Sequence, residues 1–587
     1  MNLHPRILAG MQRLRDYRRQ SLSRDLLAAA IVTVLLIPQA LAYALLAGLP
    51  AQVGLYASVV PVIAYAIFGS SRTLAVGPVA VSSLMTASAL GAVAAQGSGD
   101  YLAAAMVLAL LSGLFLLLLG VLRLGFLANF LSHPVIAGFI TASGLLIALS
   151  QLKYLLGVNA GGRDLPQMLS ALAAAIPGVN GYALATGAAV IAFLFWSRKH
   201  AAVLLRRLSV PATLAGLLAK AAPVVAVVAS IAAAKYFDFE GRQVPLVGAI
   251  PAGLPGLQWP HFSWALVQAL AVPAVMISVI GYVSSISVSK TLAAKRRQKI
   301  DVNRELIGLG AANIGAGLSG AFPVTGGFAR SVVNFDAGAQ TQMAGVFTAA
   351  GIALASIYLT PLLYFLPKAT LAATIVVAVL TLVDFSILQK TWRFSRSDFV
   401  AVAVTIAVTL LFGVEAGVTC GVGASIALFL YRTSRPHIAE VGLVEGTEHF
   451  RNIKRHKVIT DPQILTIRVD ESLMFSNAGY LEDRIYADLA ANRQVKHVIL
   501  MCSAINEIDW SALEVLEAIN ERLAEQGMQL HLSEVKGPVM DRLQSTGFLS
   551  QLSGRVYLTQ YQAFSQVRQE LPDPANGAVA TCDQTPA

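Results

Sequence analysis

Arg330 lies in GAFPVTGGFARSVVN (320–334), a stretch of otherwise apolar, membrane-type sequence that is interrupted by a proline and a glycine pair. Such an interruption ends one helix and allows another to begin inside the bilayer, near Gly327. The first backbone N–H groups of that helix have no intrahelical acceptor and carry roughly half a positive charge. A guanidinium about one turn further on adds a full charge. The pattern therefore predicts an anion site at membrane depth.

A second interruption, VGP (76–78), precedes the short apolar segment VAVSSLMTASALGAV (79–93). Paired short segments at matching places in two halves of a chain are typical of transporter sites at the bilayer midplane. Two facing half-helix N-termini can bind an anion without any charged side chain. The alternatives are that Arg330 extends to the membrane interface or pairs with Asp336, and that the glycines only allow close helix packing.

The first apolar run contains IPQALAYALL (37–46), in which Gln39 and Tyr43 are four residues apart and share one helix face. An amide and a phenol could serve as neutral ligands in the pocket. The alternative is that both side chains form hydrogen bonds between helices.

The composition indicates an integral membrane protein. Of 587 residues, 56% are hydrophobic and 13% charged, whereas soluble proteins carry about 25% charged residues. The first apolar run is long enough to span the bilayer and is not followed by a signal-peptide cleavage site. The net charge of +11 arises from basic loops that a fourteen-span topology places on the cytoplasmic side, so no nucleic-acid partner is expected. Three dispersed cysteines argue against a disulfide framework or a zinc site.

The fold class expected is an all-α polytopic membrane domain of fourteen helices in a seven-plus-seven inverted repeat, with two half-helices, followed by a small α/β domain. The predicted boundaries are a basic cytoplasmic segment (1–25), the transmembrane domain (26–432), a linker (433–462), the α/β domain (463–566) and a disordered tail (567–587).

The α/β domain is predicted from alternating strand-like and helix-like runs, for example QILTIRVD, VKHVILMC and MQLHLSEV. Ser511 follows the second of these strands and is expected to cap the next helix, with Glu514 in the capping-box position. Regulatory phosphorylation of Ser511 is the alternative.

Four stretches, IPQALAYALLAGLP, GLYASVVPVIAYAIFGSSRTLAVGPVAVSSLM, LSHPVIAGFITASGLLIALSQLKYLLG and FPVTGGFARSVVNFDAGAQTQMAG, closely resemble the sulfate permease (SulP) family of anion transporters, bacterial relatives of mammalian solute carrier family 26. The resemblance extends to about residue 566. It implies a core domain moving against a gate domain, a cytosolic STAS domain, a homodimer, and a bacterial inner membrane location with the N-terminus and STAS domain in the cytoplasm.

The resemblance also implies that the anion lies between the third and tenth spans and is approached by the first and eighth. Matched by motif, the anion-binding residues are Gln39, Tyr43, Pro78, Val79, Ala80, Phe328, Ala329 and Arg330. One departure concerns the eighth span, where many proton-coupled relatives have a glutamate. Here the stretch reads GYVSSIS (281–287), so Ser284 occupies the acidic position, and Ser284, Ser285 and Ser287 could offer hydroxyls to the anion. The alternative is that these serines only aid helix packing.

The expected function is secondary active transport of a small inorganic anion, sulfate first, by an elevator-like mechanism, with bicarbonate, chloride or a dicarboxylate as alternatives. The coupling ion is a proton, sodium or a counter-anion, and no cofactor or enzymatic activity is expected. The remaining titratable groups near the membrane are His133 and Asp336, and Asp384 and Glu415, which are expected to be solvated at span ends. A passive channel and a STAS-based membrane sensor are further alternatives.

Overall fold

The computed structural model describes residues 19–571, apart from 97, 127–131, 163, 210, 212–214, 217–218, 220, 252 and 261. Contacts divide the chain into two compact units, Met1–Ile426 and Ala427–Ala587. The first unit is built almost entirely from apolar helices, and the second contains a six-stranded sheet covered by helices. This architecture confirms the predicted fold class of a helical membrane domain with a small α/β domain.

Most described helices of the first unit are apolar along their length. In chain order they are α1 (Arg19–Leu46), α2 (Ala51–Tyr56), α3 (Val60–Phe68), α4 (Ala80–Gly91), α5 (Gly99–Val121), α6 (His133–Leu156), α7 (Leu165–Ala175), α8 (Gly181–Arg207), α9 (Ala222–Tyr236), α10 (Trp264–Lys295), α11 (Val302–Leu318), α12 (Phe328–Asp336), α13 (Met343–Tyr358), α14 (Lys368–Val379), α15 (Ser386–Phe394), α16 (Arg396–Phe412) and α17 (Val414–Ser434). Among the described residues, seven helical stretches are long and apolar enough to cross a membrane. The count of fourteen spans stays a prediction.

Two of these helices, α4 and α12, are half-helices. They contain 12 and 9 residues, and at 1.5 Å per residue they extend about 18 Å and about 14 Å. A full crossing needs roughly 30 Å. Both begin where the glycine and proline interruptions predict, after the extended residues Val79 and Gly327.

Each half-helix is preceded by a two-residue strand. Strands β1 (Val76–Gly77) and β2 (Thr325–Gly326) pair antiparallel, with Val76 opposite Gly326 and Gly77 opposite Thr325. Because each strand leads directly into its half-helix, this ribbon brings both N-termini to one place in the membrane unit.

Glycines allow the helix that precedes β2 to pack closely. A Cβ placed on Gly113 of α5 would lie 2.8 Å from the Gly310 carbonyl of α11, and one on Gly310 would lie 2.9 Å from the Gly113 carbonyl. No side chain fits at either distance. Small residues therefore fix α11 against α5, as is common between membrane helices.

The sheet of the second unit has the strand order β4-β3-β5-β6-β7-β8. Its strands are β3 (Ile438–Leu443), β4 (Phe450–Asn452), β5 (Ile464–Val469), β6 (His497–Met501), β7 (Gln529–Ser533) and β8 (Val556–Tyr557). Strands β5 to β8 are parallel, and β3 pairs antiparallel with β4 and β5. Its helices are α18 (Ala478–Ala491), α19 (Trp510–Glu525), α20 (Gly537–Ser545), α21 (Phe548–Gln551) and α22 (Gln560–Glu570).

Three predicted boundaries need correction. The segment 433–462 is not a linker throughout, because it supplies β3 and β4, whose backbone groups pair with the sheet. The basic N-terminal segment 1–25 overlaps α1, which begins at Arg19, and residues 1–18 lie outside the described chain. The predicted tail 567–587 overlaps the end of α22, and residues 572–587 lie outside the described chain.

The predicted cap of α19 was wrong by two residues. Asp509, not Ser511, is the N-cap, and its carboxylate accepts the N–H of Ala512 at 2.9 Å. The other carboxylate oxygen accepts the N–H of Phe475 at 2.7 Å. Because Asp509 satisfies two backbone donors at once, the helix starts after it, and Ser511 lies within the first turn. Glu514 accepts the indole N–H of Trp510 at 2.8 Å and forms no capping box.

Candidate functional site

Unpaired backbone donors meet at the ribbon. The first intrahelical hydrogen bond of α4 runs from the Ser83 N–H to the Val79 carbonyl, and that of α12 from the Ser331 N–H to the Gly327 carbonyl. The N–H groups of the residues between each such pair, Ala80–Ser82 and Phe328–Arg330, have no acceptor within their own helix. Two positive helix ends are thus directed at one place, which favours an anion.

Arg330 lies between the two helix ends. Its side chain is 4% exposed, and Nη2 donates to the carbonyl of Pro78 at 2.8 Å, across 252 residues of sequence. Nη1 is buried and has no hydrogen-bond partner among the described residues. A buried guanidinium donor without an acceptor is costly, and an anion is the natural partner for it. This geometry excludes both alternatives for Arg330, since the side chain neither extends to an interface nor pairs with Asp336.

Glycines surround the guanidinium. A Cβ on Gly327 would lie 2.8 Å from Nε and 2.9 Å from Nη2 of Arg330. A Cβ on Gly77, whose φ is +152°, would lie 2.9 Å from Nη1. A side chain at either position would displace the guanidinium, so the close approach of Arg330 to the backbone favours glycine at both.

Side-chain hydrogen bonds hold the ribbon between neighbouring helices. Ser331 Oγ of α12 accepts the N–H of Ala75 at 2.9 Å, and Ser82 Oγ of α4 donates to the Pro323 carbonyl at 3.1 Å. Asn313 of α11 accepts the Val324 N–H and donates to the Val324 carbonyl, both at 2.9 Å. Each half-helix is thus tied to the residues that lead into the strand before the other half-helix.

Gln39 and Tyr43 lie on α1, which packs against both half-helices. Tyr43 is 9% exposed and belongs to the same apolar cluster as Ala80. It is also close enough to Arg330 for the two to interact electrostatically. Gln39 is half-buried one turn earlier. Neither side chain makes a hydrogen bond to the part of the chain that is described, so the alternative of interhelical hydrogen bonding is not realised there.

The remaining motif residues are the first residues of the half-helices. Pro78 is buried and engages Arg330 through its carbonyl, Val79 is the extended N-cap of α4, and Ala80 is buried at its first turn. Phe328 is 54% exposed, and Ala329 beside it is also exposed. The structure therefore brings all of the predicted residues of these two motifs to the ribbon, and leaves the first turn of α12 open.

The neighbouring serines of α10, Ser284, Ser285 and Ser287, have different surroundings. Ser284 is half-buried and makes no hydrogen bond to the described residues. Ser285 is fully buried, contacts the Thr325 hydroxyl at 2.8 Å and accepts the N–H of Gly326 at 2.9 Å. Ser285 therefore holds β2 in place, and Ser284 is the hydroxyl of the pair that remains available. Ser287 is exposed.

The other titratable groups are distributed around this unit. Oδ2 of Asp384 lies 3.9 Å from Nζ of Lys390, and both side chains are mostly exposed, as predicted for Asp384. Glu415 differs from the prediction, because it is half-buried and its Oε1 is enclosed without a hydrogen-bond partner among the described residues. His133 is exposed at the first turn of α6. Within the described chain no group of three or more His, Cys, Asp or Glu residues could hold a metal.

Sequence reasoning missed the residues that hold the site together. They are polar residues within apolar spans, namely Ser285, Asn313, Ser331 and the buried Glu305 of α11. A polar side chain in such a span was a signal that could have been used. The partners of these residues were not visible, because the hydrogen bonds of Ser285, Ser331 and Glu305 reach residues 41, 256 and 234 positions away. Asn313 bonds to Val324 across the break that precedes α12.

A helical membrane unit with two half-helix N-termini converging on a buried arginine, joined to an α/β unit, defines a multi-pass membrane anion transporter with an attached soluble domain. Residues 22–405 match the model of the sulfate permease family, and residues 456–563 match that of the STAS domain. The chain belongs to the sulfate permease family and carries a C-terminal STAS domain.

Relatives extend over nearly the whole chain. It is 37% identical to "Sulfate transporter 4.1, chloroplastic" of Arabidopsis thaliana over 533 residues, which cover 89% of this chain and 76% of that protein. It is 31% identical to "Sulfate transporter 1.3" of the same plant, covering 95% of this chain and 87% of that protein. It is 31% identical to "Probable sulfate transporter Rv1739c" of Mycobacterium tuberculosis, covering 92% and 94%.

Solved structures share the fold. The structure of murine Slc26a9, an anion transporter in the inward-facing state, has a TM-score of 0.84 and 22% identity, and the match covers 95% of this chain and 94% of that chain. The transmembrane domain of the cyanobacterial bicarbonate transporter BicA has a TM-score of 0.59 and 22% identity, covering 70% and 98%. These two structures show the fold, and membership of the sulfate permease family makes the chain a membrane anion transporter.

Proposed function

We propose that the protein is a secondary active transporter of sulfate, which is bound between the N-termini of α4 and α12 and carried by an elevator-like movement. The observation that carries the proposal is the buried Nη1 of Arg330, which lies between two positive helix ends without a protein acceptor. The names of the relatives as sulfate transporters support sulfate as the anion.

Charge supports the same anion. Arg330 supplies one positive charge, and each half-helix N-terminus contributes roughly half a charge, so the site presents about two positive charges. Sulfate carries two negative charges, and its oxygens suit a guanidinium edge and backbone N–H groups. Gln39, Tyr43 and Ser284 would then act as neutral donors around it. Monovalent anions would leave part of this positive field uncompensated.

The charge argument favours a dianion over bicarbonate or chloride, but the same donors suit these smaller anions and also a dicarboxylate. Bicarbonate, chloride and a dicarboxylate therefore remain the second candidates, and the likeness of fold to the bicarbonate transporter BicA favours bicarbonate among them. The coupling ion is a proton, sodium or a counter-anion. Because Ser284 replaces the acidic residue of proton-coupled relatives, exchange against a counter-anion requires no further group in the site.

The wider setting of the proposal follows the family. The protein would act as a homodimer in a bacterial inner membrane, with its N-terminus and STAS domain in the cytoplasm. The basic segments between predicted spans support that orientation, because cytoplasmic loops are enriched in lysine and arginine. Phosphorylation of the exposed Ser511 would be a route for regulation through the STAS domain.

The deciding experiment is uptake of radiolabelled sulfate into proteoliposomes, with an imposed proton or sodium gradient or with internal unlabelled anions. Sulfate uptake that is lost in Arg330→Ala and retained in Arg297→Ala, an exposed arginine of the α10–α11 loop, is expected. Faster uptake of labelled sulfate when unlabelled sulfate is present inside the vesicles distinguishes a carrier from a channel. Flux of bicarbonate or chloride without sulfate flux would overturn the substrate, and anion flux unchanged in Arg330→Ala would overturn the site.

A further inference from the structure

Glu305 is a fully buried carboxylate in the first turn of α11. Its Oε2 accepts the Tyr65 hydroxyl at 2.7 Å. Its Oε1 accepts the backbone N–H groups of Ser70 at 2.8 Å and Ser71 at 2.7 Å, and the Ser70 hydroxyl at 2.6 Å. No lysine or arginine among the described residues forms an ion pair with it. A buried charge is thus compensated by hydrogen bonds alone, which requires an exact set of donors.

Two of these four donors are backbone N–H groups, which can only donate. The other two are the Tyr65 and Ser70 hydroxyls, which complete the set of contacts around the carboxylate. Tyr65 lies on α3 and Glu305 on α11, so their hydrogen bond joins these two helices. The arrangement therefore suits a fixed acceptor whose role is to hold its four donors in place.

The donors belong to the segment that leads into the anion site. Ser70 and Ser71 follow α3, and the chain reaches β1 five residues after Ser71. Ser71 Oγ accepts the Leu74 N–H at 3.1 Å, which turns the segment back toward the ribbon. Glu305 thus fixes one end of a short segment whose other end is the Pro78 carbonyl that binds Arg330.

The second half-helix holds the same segment from the other side. Asn334 Nδ2 donates to the Thr73 carbonyl at 3.1 Å, and Ser331 Oγ accepts the Ala75 N–H at 2.9 Å. The Gly327 N–H donates to the Ala75 carbonyl at 3.0 Å. Between Ser70 and Pro78 the segment is therefore anchored to α11 at its start and to α12 along its length.

We propose that Glu305 is a positioning residue of the anion site: it holds residues 70–75 so that β1, the Pro78 carbonyl and the first N–H groups of α4 meet Arg330. This inference rests on the proposed function, because it assigns Glu305 to the same anion site. It adds a residue that touches no substrate and that lies at the start of another helix.

The test is Glu305→Gln, which preserves the size of the side chain but replaces one acceptor oxygen by a donor. We expect the KM for sulfate to rise at least tenfold, with the maximal rate within threefold of wild type. Backbone hydrogen–deuterium exchange in residues 69–79 should become faster. Tyr65→Phe, which removes one donor of four, should give a smaller rise in KM of about two- to fivefold. Glu240→Gln, at an exposed carboxylate that accepts the Tyr364 hydroxyl, is the control and should change neither quantity.

The outcomes separate this inference from the proposed function. If the wild-type protein transports another anion but not sulfate, the sulfate assignment is refuted. The KM values of the same variants are then measured with the anion that the wild type transports. A folded Glu305→Gln protein with wild-type KM overturns the positioning role. If Glu305→Gln fails to fold, Tyr65→Phe decides: a raised KM supports the proposal, and an unchanged KM overturns it.

Discussion

The Arg330 guanidinium joins the two half-helices, because its Nη2 donates to the Pro78 carbonyl at 2.8 Å and Pro78 immediately precedes the N-cap of α4. The same side chain leaves Nη1 buried without a partner among the described residues. One arginine thus performs two tasks, since one amino group fixes the distance between the helix ends and the other is available to an anion.

Arg330→Lys should weaken sulfate binding at least tenfold although it preserves the charge. An ammonium on a flexible stem lacks the planar fork that binds Pro78 and an anion oxygen at the same time. The measurement is the rise in melting temperature of the purified protein on titration with sulfate. Arg297→Lys serves as the control. Equal sulfate affinities in Arg330→Lys and wild type would show that charge alone matters.

Gly327→Ala should impair anion binding at least as strongly as Arg330→Lys. The added Cβ would lie 2.8 Å from Nε of Arg330, a distance that requires the guanidinium to move. Sulfate uptake should fall more than tenfold, while expression and detergent stability stay near those of wild type. Gly423→Ala, where no atom lies within 4 Å of the added Cβ, is the matched control. Normal uptake by Gly327→Ala would contradict a close contact between Gly327 and the Arg330 guanidinium.

The positions of the two helix breaks could be read from the sequence, because proline and paired glycines restrict where a membrane helix begins. Arg330 could likewise be predicted as a site residue, because a charged residue in an apolar run has few explanations. The contacts that hold the two half-helices and the ribbon together could not be predicted. The Gly326 N–H meets Ser285 of another helix, and Glu305 meets Tyr65 at a separation of 240 residues.

Local sequence patterns also gave a wrong or incomplete assignment where two neighbouring residues were equally suited to one role. Ser284 and Ser285 are indistinguishable in sequence, and only the position of β2 assigns Ser285 to the backbone. Asp509 and Ser511 both suit a helix N-terminus, and the demand of the Phe475 N–H for an acceptor favours Asp509. Tertiary partners decide such cases.

Ser285→Ala and Ser284→Ala should therefore affect different properties. Loss of the Ser285 hydroxyl leaves the buried Gly326 N–H without an acceptor, at a cost of about 1–3 kcal/mol, so the melting temperature should fall. Ser284→Ala should leave the melting temperature unchanged and raise the KM for sulfate about threefold to tenfold if its hydroxyl contacts the anion. A KM unaffected by Ser284→Ala would remove Ser284 from the site.

The stability of the α/β unit should decrease below neutral pH because of His531. Burial, and then the neighbouring His497, lower the pKa of His531 from 6.5 to about 4. Its Nδ1 accepts the Arg555 N–H at 3.0 Å, and Nε2 lies 3.1 Å from His497 Nδ1, so a proton on Nδ1 would break the first of these bonds. The unfolded chain binds more protons between pH 6.5 and about 4, and stability must fall as the pH decreases through this range.

The size of that effect is about 3 kcal/mol, at roughly 1.4 kcal/mol for each pKa unit. Urea unfolding of a fragment of residues 436–571, which contains the apolar cores of this unit, should show it between pH 7 and pH 4. His531→Gln should reduce the pH dependence by close to one proton, and His449→Gln, at an exposed position, should not. Identical pH profiles for His531→Gln and wild type would refute the assignment.

Asp509→Ala should destabilise the same fragment more than Ser511→Ala. Removal of the cap leaves the Ala512 and Phe475 N–H groups without their acceptors, and loss of an N-cap alone costs about 1–2 kcal/mol. Ser511 is exposed at the second position of α19, so its truncation should change the free energy of unfolding by less than about 0.5 kcal/mol. Urea unfolding at pH 7.5 measures both. A larger loss of unfolding free energy for Ser511→Ala than for Asp509→Ala would show that Ser511 is the N-cap. The expected result, a larger loss for Asp509→Ala, would leave the Ser511 hydroxyl without a structural role and accessible to a kinase.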